Sequence, residues 1–178
     1  MNFLLNKLEM LIPNAFLVIF LLSSAVLGTA YIFQFGFGYA PCELCYYQRY
    51  PYMAIIAISG IGVMAQKNLI KLGRPTIIFL LILCCILLVL EAGIAAYHAG
   101  IEYKWWQGAT ACTANVSFSG SVEDRLAQLM SVPVIRCDEA QWSLFGISMA
   151  GYNFFSATII AVFAIVSLSV YKNKRLDK

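Results

Sequence analysis

Long runs of apolar residues constrain the fold of this chain more than any other feature of its sequence. Three runs cover about residues 15–33, 76–97 and 153–171. At about 1.5 Å per helical residue, each can cross a hydrocarbon core about 30 Å thick. The first run is longer than the apolar part of a signal peptide, which favours an uncleaved helix. Only 12% of the residues are charged, against about 25% in soluble domains, so we expect most of the chain to lie in lipid.

A fourth apolar run, from Tyr52 to Ala65, is too short to cross a bilayer alone. A helix that begins near Cys45 and continues through Pro51 is long enough, and membrane helices tolerate proline. We therefore predict an all-α membrane protein, a four transmembrane helix bundle that forms one integral membrane domain over residues 1–178. Its predicted spans are about 15–33, 45–65, 76–97 and 153–171.

The basic residues of the short connections predict the orientation of this bundle, because Lys and Arg accumulate on the cytoplasmic side. One face of the four-span arrangement carries Lys7, Lys67, Lys71, Arg74, Lys172, Lys174, Arg175 and Lys178. The other face carries only Arg49, Lys104, Arg125 and Arg136. Both termini are thus expected in the cytoplasm, with extracytoplasmic loops at about 34–44 and 98–152. The sequence contains no basic patch suited to nucleic acid.

The long second loop has the pattern of a segment that lies on the membrane surface. Ser121 and Asp124 form a capping-box pattern, and the apolar face that follows ends at Pro133. The stretch 142–149 is apolar enough to enter the interface. We expect short interfacial helices in this loop, with simple anchoring as their main role.

Cys42 and Cys45 form a Cys-x-x-Cys pair at the predicted start of the second helix. Backbone N–H groups and the helix dipole favour thiolate there, which is typical of redox-active cysteines.

Arg49 lies four residues after Cys45 and shares its helical face. It can lower a thiol pKa or bind an anionic or carbonyl ligand, although an isolated Arg at this position is more often an interfacial anchor.

Cys112 and Cys137 lie in the second loop, in a compartment that is oxidising in bacteria, and they can bridge each other. Static disulfides and a four-thiolate zinc site compete with redox catalysis. Zinc ranks low because structural zinc sites usually present two close cysteine pairs. A bridge between Cys42 and Cys45 restrains little chain, which favours a chemical role for that pair.

The third predicted span contains four further residues of interest. Cys84 and Cys85 lie in its middle among Ile and Leu and are expected to pack as small apolar side chains. Glu91 and His98 are seven residues apart and share a helical face, with Glu91 about 10 Å deeper. An intramembrane carboxyl indicates function, so proton delivery and a protonated carboxyl bonded to a neighbouring helix both remain open for Glu91.

In their combination and order, these features resemble the disulfide bond formation protein B family, the quinone-linked oxidases of the bacterial inner membrane. The matching stretches cover nearly the whole chain and are Pro41 to Cys45, Tyr47 to Arg49, Tyr97 with His98, Cys112, and residues 137–149. No family role matches Glu91.

The resemblance implies a protein thiol:disulfide oxidoreductase of the bacterial inner membrane, with catalytic residues Cys42, Cys45, Cys112 and Cys137. It reoxidises a periplasmic thioredoxin-like dithiol oxidase of the DsbA type and passes the electrons to ubiquinone or menaquinone. Cys112 and Cys137 form the disulfide that accepts electrons from the partner, with Cys112 as the site of the mixed disulfide.

On the quinone side, the resemblance implies that Cys42 and Cys45 receive these electrons. Cys45, as the thiolate, passes them to quinone held near Arg49 and His98, and no metal is implied. It remains open which quinone is reduced and which partner protein is oxidised. So does the choice between the resting bridges Cys42–Cys45 with Cys112–Cys137 and a set crossed between the loops.

Two other functions remain as alternatives. A non-catalytic membrane assembly protein with disulfide-stapled loops explains extracytoplasmic cysteines without turnover. A vitamin K epoxide reductase-like quinone enzyme has similar spans, but its Cys-x-x-Cys lies near the last helix, whereas here the motif precedes the second helix.

Overall fold

The computed structural model describes residues 14–108 and 136–173, and this part of the chain is mostly α-helical. Four long helices follow one another as α1 (Ala15–Tyr31), α2 (Glu43–Gln66), α3 (Arg74–Glu102) and α4 (Met149–Asn173). α1 continues as a π-helical turn over Ile32–Gly36. The predicted fold class, an all-α membrane protein, is confirmed.

Three of the four helices are long and apolar enough to cross a membrane. These are Ala15–Gly36, Arg74–Glu102 and Met149–Asn173. α2 has 24 residues and continues through Pro51, as predicted, so it spans about 36 Å. Its first turns carry Glu43, Gln48 and Arg49, which lower its mean hydropathy. The crossing of the membrane by α2 therefore stays a prediction.

The helices pack around α3, which lies against both α2 and α4, while α1 packs mainly against α2. The core between them is closed by residues with no exposed surface, among them Ile19, Ile55, Leu88 and Ala157. Cys84 and Cys85 belong to this core, in agreement with their expected packing role. α4 contributes alanines at Ala157, Ala161 and Ala164, and small residues of this kind let membrane helices approach closely.

Arg74 ties the start of α3 to the end of α4. Its guanidinium donates a hydrogen bond of 2.9 Å to the backbone oxygen of Tyr171 and lies 5.3 Å from the centre of the Tyr171 ring. The turn between α2 and α3, with Lys67 and Lys71, is at this same end of the bundle. The described basic residues that predict the cytoplasmic face therefore cluster together.

At the opposite end, residues 143–148 form a short β-hairpin rather than a helix. Strand β1 (Ser143–Leu144) pairs antiparallel with β2 (Ile147–Ser148). Both turn residues, Phe145 and Gly146, have positive φ angles of 52° and 78°, as a tight two-residue hairpin turn requires. The side chain of Phe145 is 90% exposed, which suits insertion into the membrane interface.

Several sequence-based predictions lie outside the described residues. These are the interfacial helix between Ser121 and Pro133, the placement of Cys112 and Arg125, and the terminal residues Lys7, Lys174, Arg175 and Lys178.

Gly62 of α2 permits the close approach of α1. A Cβ atom at this position would lie 2.3 Å from ring carbons Cγ and Cδ1 of Phe16, whose side chain is 1% exposed. Gly62→Ala should therefore destabilise the α1–α2 contact by about 1–3 kcal/mol, as overpacking typically does.

The measurement is unfolding of the detergent-solubilised protein by heat. Gly28→Ala on α1 is the matched control, because an added Cβ there meets nothing within 4 Å. Equal stability of the Gly62 and Gly28 variants would contradict the close packing of α1 on α2.

Candidate functional site

The Cys-x-x-Cys pair lies where α2 begins, at the end of the bundle opposite Arg74. Cys42 is the N-cap residue of α2, and its sulfur accepts a hydrogen bond of 3.3 Å from the backbone N–H of Cys45. The two sulfur atoms are 2.8 Å apart. A disulfide bond is about 2.05 Å long, so a small side-chain movement closes this pair.

His98 of α3 joins the pair and completes a group of three possible metal ligands. Its Nε2 lies 3.5 Å from Sγ of Cys42, and these two atoms and Sγ of Cys45 all lie within 4.8 Å of one another. The sequence analysis ranked a zinc site low on the spacing of the cysteines alone and did not consider His98 as a ligand. Two thiolates on tetrahedral zinc would be about 3.8 Å apart, however. The observed sulfur separation favours disulfide chemistry.

Cys137 reaches the same place from the second loop. Its side chain is 1% exposed and forms one buried cluster with Cys42, against which Leu44 and Cys45 also pack. Three of the four cysteines predicted to be catalytic are thus adjacent, and Cys112 lies outside the described residues.

A charged tether holds the Cys137 segment at the end of α3. Nζ of Lys104 donates to the backbone oxygen of Asp138 at 2.6 Å and to its carboxylate at 2.8 Å. Arg136 donates to the same carboxylate at 2.7 and 2.9 Å. The hydrogen bonds from Arg136 and Lys104 hold the pKa of Asp138 well below its usual range. The tether therefore stays ionised throughout the neutral range of pH.

Arg49 is buried beside the pair, with only 7% of its surface exposed. It donates a hydrogen bond of 2.5 Å to Gln34, in the π-helical turn that ends α1. Its guanidinium also lies 4.9 Å from the centre of the Tyr31 ring and 5.2 Å from that of Tyr46. Arg49 forms no ion pair with a carboxylate of residues 14–108 or 136–173. The site thus retains a buried positive charge that can bind a ligand oxygen.

A cavity of about 300 Å³ connects these groups. Its wall is mostly apolar and comes from all four helices, the connection before α2 and the segment before the hairpin. The polar and sulfur-bearing residues of the wall include Cys42, Cys45, Gln48, Arg49, His98, Glu102 and Asn153. Ligand sites typically combine such an apolar wall with a few polar groups that orient the ligand. The cavity suits an apolar molecule that carries hydrogen-bond acceptors.

The sequence analysis did not anticipate the hydrogen-bonded side chains behind His98. Gln48 contacts Nδ1 of His98 at 3.0 Å and accepts a bond of 2.9 Å from Asn153, which also donates to Glu91 at 2.8 Å. Tyr52 donates to Asn153 at 2.9 Å. Glu91 thus bonds to a neighbouring helix, one of the two possibilities considered for it. The signal available in the sequence was that Gln48 and Asn153 are polar residues near the starts of two predicted spans.

Glu102 is an acidic residue of the site that the sequence analysis did not single out. Its side chain is 7% exposed, lies 3.8 Å from Nε2 of His98 and accepts a hydrogen bond from Ser148 of the hairpin. The hydroxyl of Tyr103 accepts a bond of 3.1 Å from the backbone N–H of Ser148. Since Ser148 is the last residue of β2, these bonds fasten the hairpin to the end of α3 beside the cysteines.

Comparisons with known proteins agree with this geometry. A family model described as Disulfide bond formation protein DsbB matches residues 13–167. The disulfide bond formation protein B of Haemophilus influenzae (strain 86-028NP) is 29% identical over 160 residues, which cover 86% of this chain and 85% of the relative. That of Pasteurella multocida (strain Pm70) is 31% identical over 159 residues, which cover 83% of this chain and 78% of the relative.

The uncharacterized protein RP370 of Rickettsia prowazekii (strain Madrid E) is 30% identical over 152 residues, or 83% of this chain and 82% of the relative. No solved structure gives a significant match. Because the family model spans most of the chain, and several relatives agree along their length, this chain belongs to the disulfide bond formation protein B family of membrane proteins.

Proposed function

We propose that this chain is a quinone-dependent protein dithiol oxidase that acts through two cysteine pairs. The observation that carries the proposal is the position of Cys42 and Cys45, which line an apolar cavity together with Arg49, a buried cation that has no carboxylate partner among the described residues. A static disulfide needs neither the cavity nor the charge. An electron acceptor with carbonyl oxygens uses both.

The proposed path of electrons begins at a partner protein, a periplasmic thioredoxin-like dithiol oxidase of the DsbA type. One partner thiolate attacks Cys112 of a Cys112–Cys137 disulfide, and Cys137 leaves as a thiolate. The second partner thiol then displaces Cys112. The partner has become a disulfide, and its two electrons now reside on Cys112 and Cys137.

The next step joins the two pairs. The thiolate of Cys137 attacks Sγ of Cys42 in a Cys42–Cys45 disulfide, the bond between Cys42 and Cys45 breaks, and Cys45 leaves as a thiolate. The thiolate of Cys112 then attacks Sγ of Cys137 in the resulting Cys137–Cys42 bridge, so that the Cys112–Cys137 disulfide forms again and Cys42 is released to complete the reduced Cys42–Cys45 pair. Contact of Cys137 with Cys42 in one buried cluster supports this route. It also supports a bridge between the loops as a stage of the cycle, one of the two connectivities that the sequence left open.

Cys45 is the thiolate of the reduced pair in this proposal. The hydrogen bond to Cys45, together with burial, raises the pKa of the Cys42 thiol above its ordinary value. Cys42 therefore keeps its proton and donates it toward Cys45. The negative charge then rests on the sulfur nearer to Arg49 along the helix.

Ubiquinone or menaquinone, when bound, accepts two electrons and two protons and becomes the quinol. The cavity fits such a molecule, because its wall is apolar and its polar groups include the donors Arg49 and His98. Arg49 would hold a ring oxygen of the quinone with the planar fork of its N–H groups. The two protons that balance the reaction come from the thiols that are oxidised.

The proposed location is the bacterial inner membrane, with four spans, both termini in the cytoplasm and the thiol site on the periplasmic side. The clustering of Lys67, Lys71, Arg74 and Lys172 at the other end of the bundle supports this orientation. An extracytoplasmic site also gives the cysteines access to an oxidising compartment.

Each of Cys42, Cys45, Cys112 and Cys137 should be required for turnover, because each forms or breaks a disulfide in the relay. Single Cys→Ser variants should lose quinone-dependent oxidation of a partner dithiol. Cys84→Ala and Cys85→Ala are matched controls and should keep it, because both residues are packed in the core away from the cavity. Full activity of Cys42→Ser or Cys112→Ser would refute the relay, whereas a wild-type protein without this oxidation would favour a non-catalytic, disulfide-stapled assembly protein.

The orientation can be tested with reporter fusions at Lys71, Gly120 and Lys178. These should report the cytoplasm, the periplasm and the cytoplasm, respectively, because of the asymmetry of Lys and Arg. A cytoplasmic signal at Gly120 would overturn the proposed compartment for the loop cysteines.

Arg49→Ala should raise the Michaelis constant for quinone by about one to two powers of ten. A hydrogen bond from a charged donor contributes about 1.5–3 kcal/mol, which corresponds to that range. Arg49→Lys should recover only part of the loss, because an ammonium group lacks the planar fork. The Michaelis constant for the partner dithiol should barely change.

The measurement is steady-state oxidation with quinone and partner dithiol varied separately. Arg74→Ala is the matched control, since Arg74 also lies over a tyrosine ring but at the other end of the bundle. If quinone dependence is the same in Arg49→Ala and Arg74→Ala, Arg49 is an interfacial anchor only.

A further inference from the structure

A chain of buried hydrogen bonds crosses from α4 to α2 and α3 and ends at the imidazole of His98. Its members are Glu91, Asn153, Gln48 and His98, with Tyr52 as a side branch. Glu91 has no exposed surface, and its second carboxylate oxygen has no hydrogen-bond partner in the described part of the chain. Such a chain has a direction, because each amide donates from nitrogen and accepts at oxygen.

The direction is set at Asn153. Oδ1 of Asn153 accepts a hydrogen bond of 2.9 Å from the hydroxyl of Tyr52, so its Nδ2 group points to the other two neighbours. Those neighbours are Oε1 of Glu91 at 2.8 Å and Oε1 of Gln48 at 2.9 Å. Both are acceptors, and the two N–H bonds of the Asn153 amide satisfy both.

The direction continues through Gln48 to the histidine ring. Because the oxygen of Gln48 faces Asn153, its Nε2 faces Nδ1 of His98, at 3.0 Å. Nδ1 must therefore accept a hydrogen bond, and the ring proton of a neutral imidazole must be on Nε2.

Nε2 also faces acceptors. Sγ of Cys42 lies 3.5 Å from it, and Oε1 of Glu102 lies 3.8 Å from it. These contacts on the far side of the ring favour the same tautomer independently of the amide chain.

We propose that Glu91, Asn153 and Gln48 are positioning residues that hold the proton of His98 on Nε2, where it faces the sulfur of Cys42. The N–H group then stabilises negative charge on that sulfur whenever a disulfide at Cys42 forms or breaks. This consequence at Cys42 rests on the proposed function, whereas the tautomer of His98 does not.

His98 is the only histidine of the chain, which makes a direct test possible. Protein labelled with ¹⁵N-histidine and kept reduced in detergent gives the imidazole nitrogen signals of this one ring. In the wild-type protein at neutral pH, we expect Nε2 to carry the proton and Nδ1 to be unprotonated. A proton on Nδ1 would overturn the proposal without any variant.

Two variants test whether the chain imposes this state. Glu91→Leu removes the acceptor for Asn153, so the amides can turn over and the Nδ1–H tautomer should appear beside the Nε2–H form. Glu91→Gln keeps an oxygen that accepts from Asn153 and should preserve the wild-type tautomer. Cys84→Ala, a buried change two turns away on α3, is the control and should leave the spectrum unchanged.

Tyr52→Phe provides a second, milder test in case Glu91→Leu does not fold. It removes the donor that fixes Oδ1 of Asn153 and should likewise admit the Nδ1–H tautomer. If the proton stays entirely on Nε2 in each folded variant, Glu91 and Tyr52 do not control the tautomer and the proposal fails.

Turnover gives the second readout. Loss of one hydrogen bond to Cys42 should lower the rate of partner dithiol oxidation about 3- to 10-fold in Glu91→Leu, with Glu91→Gln close to wild type. A shifted tautomer with unchanged turnover would overturn the role at Cys42. A wild-type protein with the expected tautomer but no quinone-dependent oxidation would instead refute the proposed function and leave the tautomer assignment intact.

Discussion

Polar groups inside a bundle that faces lipid must find their partners within the protein, and this requirement organises the site end of the molecule. Water does not satisfy a buried amide or carboxylate there, so an unpaired group costs several kcal/mol. The chain meets the requirement by linking side chains of α2, α3 and α4 into one hydrogen-bonded set. The set of bonds that pairs one carboxylate oxygen of Glu91 therefore also fixes the position of His98 beside Cys42.

Arg49 has hydrogen-bonding and aromatic partners but no described partner for its charge, and this indicates function. Its charge is buried, and its described partners are a neutral amide and two aromatic rings. Aromatic faces attract a cation but neutralise no charge. A buried charge that lacks a counter-ion raises the energy of the empty site and lowers the energy of a complex with an oxygen-bearing ligand. α2, which carries Arg49, is also the least apolar of the four helices.

The loop segment reaches the site through several weak constraints that act together. The tether of Asp138 to Lys104 and the bond between Glu102 and Ser148 attach the two ends of residues 138–148 to the end of α3. Cys137, next to the tether, is thereby packed against Cys42. Exposed ion pairs contribute little to stability singly, but here the carboxylate is shared by two cations and the adjoining hairpin has its own anchor. The arrangement holds one sulfur close to another without a covalent bond.

The sequence by itself determined the helices, because the length and hydropathy of each apolar run are local properties. It also predicted that Cys42 and Cys45 lie together at the start of a helix, since their spacing and their place before an apolar run are local as well. It placed Glu91 and His98 on one face of a single helix from periodicity alone. Each of these predictions needs only the rise and turn of one segment.

Only the tertiary structure decided which segments meet. No local pattern places Asn153 of α4 against Gln48 of α2, or Cys137 of the loop against Cys42, because those contacts depend on the packing angles of helices and on the path of a loop. The hairpin at 143–148 was likewise missed, because only Gly146 of its two turn residues is a common turn former. The hairpin is also held by Tyr103, whose hydroxyl donates to the backbone oxygen of Gly146 and accepts from the backbone N–H of Ser148. Hydropathy determines that a residue is buried in a membrane bundle, whereas hydrogen bonding between helices determines which polar residue lies beside which.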